Sequence, residues 1–267
     1  MPHHVYVLWR GTDSAPGNHN GETYRNILTM PDRETADYFF RGIQEHLPFT
    51  VGGNKIKSVE RLSPQMWQFF GDGADQVRTV VRCLNEGAAD AKDKPYLKEA
   101  AGKIFHMWLN DTGGRDMPTF VGLETAGFVD RVDGAYCYIR SRLEPYRYWY
   151  VDDTDTSAVT LDKEEKTKFK ITVVDNKIKG AVIVASDKIR LTPVHKEEHE
   201  VTVDKNTGYM SLARWSHHYT FKFGAFFGGI ESNLATLNNR HARGPRLLGS
   251  NDEATNAQLG EFWDLLA

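Results

Sequence analysis

Apolar residues recur at two different periods along this chain. In the amino-terminal part, Val5 to Trp9 reads as an early strand, whereas Ala36, Phe39, Phe40 and Ile43 return at helical spacing and predict a helix over Arg33 to His46. Pro31 and Asp32 suit its start, and Pro48 with Gly52-Gly53 then redirects the chain. Val77, Val80, Val81 and Leu84 predict a second helix. Leu97, Ile104 and Trp108 predict a third over Tyr96 to Leu109, broken by Asn110-Asp111-Thr112-Gly113-Gly114.

Between Gly127 and Gly134 the period changes. If extended, Ala135, Cys137 and Ile139 face one way and Tyr136, Tyr138 and Arg140 the other. Short strand candidates follow in close succession: Arg147 to Val151, Ala158 to Leu161, Lys168 to Val174, Gly180 to Ala185, Lys188 to Pro193, His199 to Val203, Met210 to Trp215 and Tyr219 to Phe227. So many strands would expose many edges, and a sheet wrapped into a β-trefoil-like or closed-barrel domain protects them. The expected fold is therefore α+β. It has a mixed α/β domain over 1–127, a β-rich binding domain over 128–237, and a polar loop with a closing helix, Ala254 to Leu266, over 238–267.

The 267 residues are 40% hydrophobic and 12% aromatic, enough for a packed core. A formal net charge of -3 makes no global case for a nucleic-acid or anionic-membrane partner. No apolar run reaches membrane-spanning length, and the opening MPHHVYVLWRG lacks the pattern of an export signal. The expectation is a cytoplasmic protein without membrane insertion, with unconventional release left open. Cys83 and Cys137 have no metal or redox spacing and read as structural thiols near apolar faces, with one disulfide between them left open.

The stretch RYWYVDDTDT, Arg147 to Thr156, sets three aromatic residues against three carboxylates. Tyr148 and Tyr150 share one face of a strand, Trp149 and Val151 the other. One face can simply be core. As a site, an aromatic platform beside acceptors suits a sugar, whose C-H face stacks while its hydroxyls donate hydrogen bonds. The candidate ligand-binding residues are thus Tyr148, Trp149, Asp152 and Asp153. Their ligand would be a glycan or other polar small molecule, and no cofactor is implied. Arg140, Arg142 and Arg147 near Tyr148 and Trp149 could also attract phosphates, but Asp152, Asp153 and Asp155 oppose that field.

Two resemblances add to this reading. Tyr138-Ile139-Arg140-Ser141, Tyr148 to Asp152, Val159-Thr160-Leu161 and Thr167 to Ile171 together resemble one repeat of fascin-like or lectin-like β-trefoil proteins. That resemblance implies three repeated β units and binding of glycans or actin. Tyr6 to Thr12, with Arg10-Gly11-Thr12, resembles the first strand of ADP-ribosyltransferase-like proteins, and Glu198-His199-Glu200 resembles their Glu-x-Glu element. The second resemblance implies an enzyme alternative, in which Arg10 orients NAD phosphates and Glu200 stabilises a cationic ribosyl transition state. Another hydrolase or transferase activity stays open beside it.

Other chemistry is poorly supported. Asp153, Asp155, Ser157 and Glu164 match part of a calcium loop, yet Ala158 stands where the loop needs glycine. His195 and His199 lie around a charged turn, and His217 and His218 point to opposite faces of a strand. The glycine and aromatic run from Tyr219 to Glu231 suits bends in a packed core, and it lacks the Gly-Lys-Ser/Thr ending of a P-loop. No metal site and no catalytic constellation is assigned.

Overall fold

The computed structural model describes residues 2–11, 23–51, 54–71, 77–87, 94–109, 130–151, 158–174, 178–203, 210–214, 219–228 and 263–266. The chain divides into two compact units, Met1–Leu123 and Glu124–Ala267.

The first unit is built on β1 (His3–Gly11), β2 (Thr23–Met30), β3 (Phe49–Val51), β4 (Asn54–Ser63), β5 (Met66–Gly71) and β6 (Phe105–Leu109). They form one sheet in the order β3-β4-β5-β1-β2-β6, in which β1 and β5 run parallel and the other neighbours antiparallel. Val5, Val7 and Trp9 alternate onto the buried face, beside Leu28, Trp67 and Phe69. Helix α1 (Arg33–Glu45) lays Phe39 and Phe40 on Trp67, with ring centroids 6.2 and 5.0 Å away. Asp32 caps this helix by accepting the Thr35 amide at 2.8 Å, which satisfies one of the donors that a helix start leaves open. Two glycines permit close approach. A Cβ on Gly71 would fall 2.4 Å from the Trp9 ring, and one on Gly42 would fall 2.6 Å from Leu97 of α3 (Pro95–Ala100). Helix α2 (Val77–Asn85) buries Val77, Val80, Val81 and Leu84, as its period requires.

The helix expected over Tyr96 to Leu109 is not what forms. Helix α3 ends at Ala100, Gly102 takes a φ of +73°, and Phe105–Leu109 becomes β6 against β2. Left-handed backbone at Gly102 stops the helix. The Asn85 side chain then anchors the turn, donating to the Ile104 carbonyl at 2.8 Å and accepting the Gly102 amide at 3.0 Å.

The second unit holds β7 (Tyr136–Ser141), β8 (Tyr148–Val151), β9 (Val159–Asp162), β10 (Lys168–Val173), β11 (Lys188–Pro193), β12 (His199–Val203), β13 (Met210–Arg214), β14 (Phe221–Lys222) and β15 (Trp263–Leu266), with a short helix α4 (Ala225–Gly228). Six strands of a seven-stranded sheet follow the order β14-β11-β10-β7-β8-β9, the seventh, β15, pairs with β7, and β12 and β13 form a hairpin. The fold is α+β, with one of its three sheets curling into a half-barrel and all three open, so the expected β-trefoil-like or closed-barrel domain is overturned. One expected strand supplies no ladder, and another is cut short to Phe221–Lys222, which pairs with β11. Ala181, Val182, Ile183 and Val184 are buried, but only Val182 makes a bridge, to Val132; and after Lys222 the chain turns into α4. Among the described residues a single bridge, Ala158 to Ser211, joins the hairpin side to β9 in place of a continuous ladder. At the carboxyl end, residues 254–262 lie outside the described residues, and Trp263–Leu266 form β15 in place of the expected closing helix.

Candidate functional site

Strand alternation in the seven-stranded sheet sorts the aromatic residues of β8. Trp149 and Val151 face the core with Cys137, Ile139, Phe169, Ile171, Ile189 and Leu191. Trp149 has 0% exposure, and its ring meets Trp263 edge-on at 5.3 Å, Phe169 edge-on at 6.0 Å and Phe226 at 6.0 Å. A buried indole cannot serve as a stacking platform in this conformation. Of the four candidate residues, Tyr148 remains on the opposite face, and Asp152 and Asp153 lie outside the described residues.

On that opposite face the cross-strand register assembles tyrosines and cations. Tyr138 stands opposite Lys168, Tyr136 opposite Lys170, and Arg140 opposite Tyr148. The Lys166 ammonium sits 4.3 Å from the Tyr138 ring centroid and 5.5 Å from that of Tyr148, so one cation spans two aromatic faces. Lys168 adds a second cation 5.5 Å from Tyr138. Attraction between an ammonium and the ring quadrupole supports this clustering, while the lysine stems cover apolar ring surface. Tyr136, at 48% exposure, extends the face along β7.

The arginines are committed elsewhere. Arg140 and Arg142 both bond Asp264 of β15, at 3.1 and 2.6 Å, and Arg147 pairs with Glu144. Burial raises the Asp264 pKa, but the bonds from Arg142 and Arg140 outweigh that and hold it below the usual carboxylate range. Acidic residues also border the face: Glu164 and Glu165 follow Asp162, whose carboxylate accepts both of their amides at 2.8 and 2.9 Å. The cationic character therefore belongs to Lys166, Lys168 and Lys170. Its signal in the sequence is the period-two alternation of Lys168 with Lys170 and of Tyr136 with Tyr138, which does not reveal that those pairs are neighbours.

The residues of the enzyme alternative are placed in different units: Arg10 at the end of β1, Glu200 on β12. Glu200 is buried and bonded by Arg190 at 3.1 Å, which gives its carboxylate a structural ion pair. Thr12, His217, His218, Asp153, Asp155 and Ser157 lie outside the described residues. Among the described residues no three or more His, Cys, Asp or Glu side chains are grouped to hold a metal ion, and no helix is long and apolar enough to cross a membrane.

Both cysteines are free. Burial pushes the Cys137 thiol up to about 12, with Lys168 partly opposing the shift, so almost none is thiolate at neutral pH. Under native conditions an alkylating reagent is expected to label the half-buried Cys83 and leave Cys137 intact, and both thiols should react after unfolding. Mass spectrometry of the labelled peptides checks this; rapid native labelling of Cys137 would show an accessible thiol instead.

No family model, curated protein or solved structure matches the chain.

Proposed function

We propose that the second unit binds carbohydrate, and that its ligand is an acidic saccharide held on the Tyr138 and Tyr148 face beneath Lys166 and Lys168. The observation that carries this reading is the Lys166 ammonium shared between two tyrosine rings. Each tyrosine offers a sugar a hydroxyl for its polar edge, while its ring holds the lysine ammonium groups in place. The lysines add what a neutral sugar cannot use fully: charge-assisted hydrogen bonds to a carboxylate or sulfate, roughly twice as strong as neutral ones. Trp149 contributes by packing the strand from behind, and the Lys166 and Lys168 ammonium groups donate to the anionic oxygens of the ligand.

Titration of the full chain with sulfated and neutral oligosaccharides of equal length tests the proposal. The sulfated ligand is expected to bind selectively and to weaken as salt rises, because these charges are near solvent. Lys166→Ala and Tyr138→Ala are each expected to weaken binding about tenfold. Equal affinity for both saccharides would remove the charge argument. Tighter binding of a single-stranded oligonucleotide of the same charge would replace carbohydrate with nucleic acid.

A further inference from the structure

The two edges of the six-stranded sheet are treated very differently. At one end, β3 is a three-residue strand that follows Pro48, a short edge of the kind that discourages further pairing. At the other end β6 spans five residues, Phe-His-Met-Trp-Leu, without a charge or a proline. Among the described residues its ladder partner is β2 alone. Phe105 is 63% exposed, Met107 48% and Trp108 49%, which places large apolar surface on both faces of one edge strand. Isolated exposed apolar residues are ordinary; three in four positions on an open edge are not.

This edge is also held in shape. His106 Nε2 and the buried Asn26 Oδ1 are 2.6 Å apart across β2 and β6, and the Trp108 and Tyr24 rings lie 6.3 Å apart. With Asn85 anchoring the preceding turn, the strand is ready to receive another without first being ordered.

We propose that β6 is the pairing edge through which two copies of this chain join, antiparallel, about a two-fold axis through Met107. That register sets Phe105 opposite Leu109, His106 opposite Trp108, and Met107 opposite itself. Phe105, Met107 and Leu109 share the sheet face of Thr29, Ile27 and Arg25, so pairing lays apolar side chains of the two copies side by side. An uncharged strand meets no like charge in its own copy, and it offers no charge pattern for selecting a different partner. The contact is small for a dimer, so monomer and dimer exchange with concentration.

Sedimentation of the full chain over a concentration series tests the pairing, beside Met107→Lys and, in a Cys83→Ser background, Met107→Cys and the control Leu62→Cys on β4. The native chain should shift from monomer to dimer, and Met107→Lys should stay monomeric at the same concentrations. Under mild oxidation, Met107→Cys should give a disulfide-linked dimer, since directly opposed residues bring their Cα atoms within reach of a disulfide, and Leu62→Cys should not. A native chain that stays monomeric while Met107→Cys fails to cross-link would overturn the proposal, as it would if another segment of the chain covered β6. A dimer indifferent to Met107→Lys, or an open ladder of larger species, would overturn it too.

Discussion

Replacing Trp149 with alanine is expected to lower the unfolding free energy of the second unit by about 3–5 kcal/mol. The indole is fully buried against Phe169 of β10, Phe226 of α4 and Trp263 of β15, so it ties β8 to three other elements. Its neighbours are large aromatic rings that cannot close over the void without leaving their rotamers, and the cavity cost is added to the lost transfer energy. Chemical denaturation of Trp149→Ala should show an earlier midpoint with an unchanged slope. Tyr148→Ala, on the opposite face, should leave that midpoint almost in place while weakening saccharide binding. A Trp149→Ala variant that kept native stability but lost binding would return the indole to the ligand site.

Asp37→Ala is expected to cost the first unit about 3–5 kcal/mol by removing one member of a buried ion pair. Asp37 and Arg61 are 2.7 Å apart with side-chain exposures of only 2% and 4%, and Arg33 approaches the other Asp37 oxygen at 3.5 Å. Arg61 also lies over the rings of Phe40 and Trp67, at 5.6 and 6.0 Å, within the α1 packing layer. Removing the carboxylate takes the counter-charge of the Asp37 pair away from a guanidinium buried in that layer. Arg61→Met should be costly for the converse reason. The double variant Asp37→Leu with Arg61→Met should recover much of the loss, since an apolar pair of similar volume has no charge to desolvate. A double-mutant cycle measures this; costs that simply add would show that the two side chains act independently.

The proposed saccharide face is partly legible in the amino-acid sequence. Tyr148 stands among the candidate ligand residues, and period-two alternation separates Tyr136 and Tyr138 from the buried Cys137 and Ile139. Lys166 carries no such signal, because its relation to Tyr138 and Tyr148 depends on β10 lying beside β7, with Thr167 donating its amide to the Trp149 carbonyl at 2.9 Å. The apolar edge at β6 reads as helix in the sequence because Ile104 and Trp108 fit a helical period, and only the ladder with β2 shows Phe105 and Met107 projecting from a strand.

By itself the sequence determined what short-range sterics and periodicity control: α1 and α2 with their buried stripes, the stop after α1 near Pro48, and which residues of β7 and β8 share a face. It defined two faces at Tyr148-Trp149 without saying which one is inside. Tertiary structure decided that, by closing Trp149 against Phe169, Phe226 and Trp263. The tertiary fold also set Trp263–Leu266 as a strand on β7, where Asp264 meets an arginine 124 positions earlier, and left the sheets open where strand counting favoured closure. The physical reason is that a residue's period depends on its immediate neighbours, whereas its strand partner and its exposure depend on backbone pairings and burial between segments far apart in the chain.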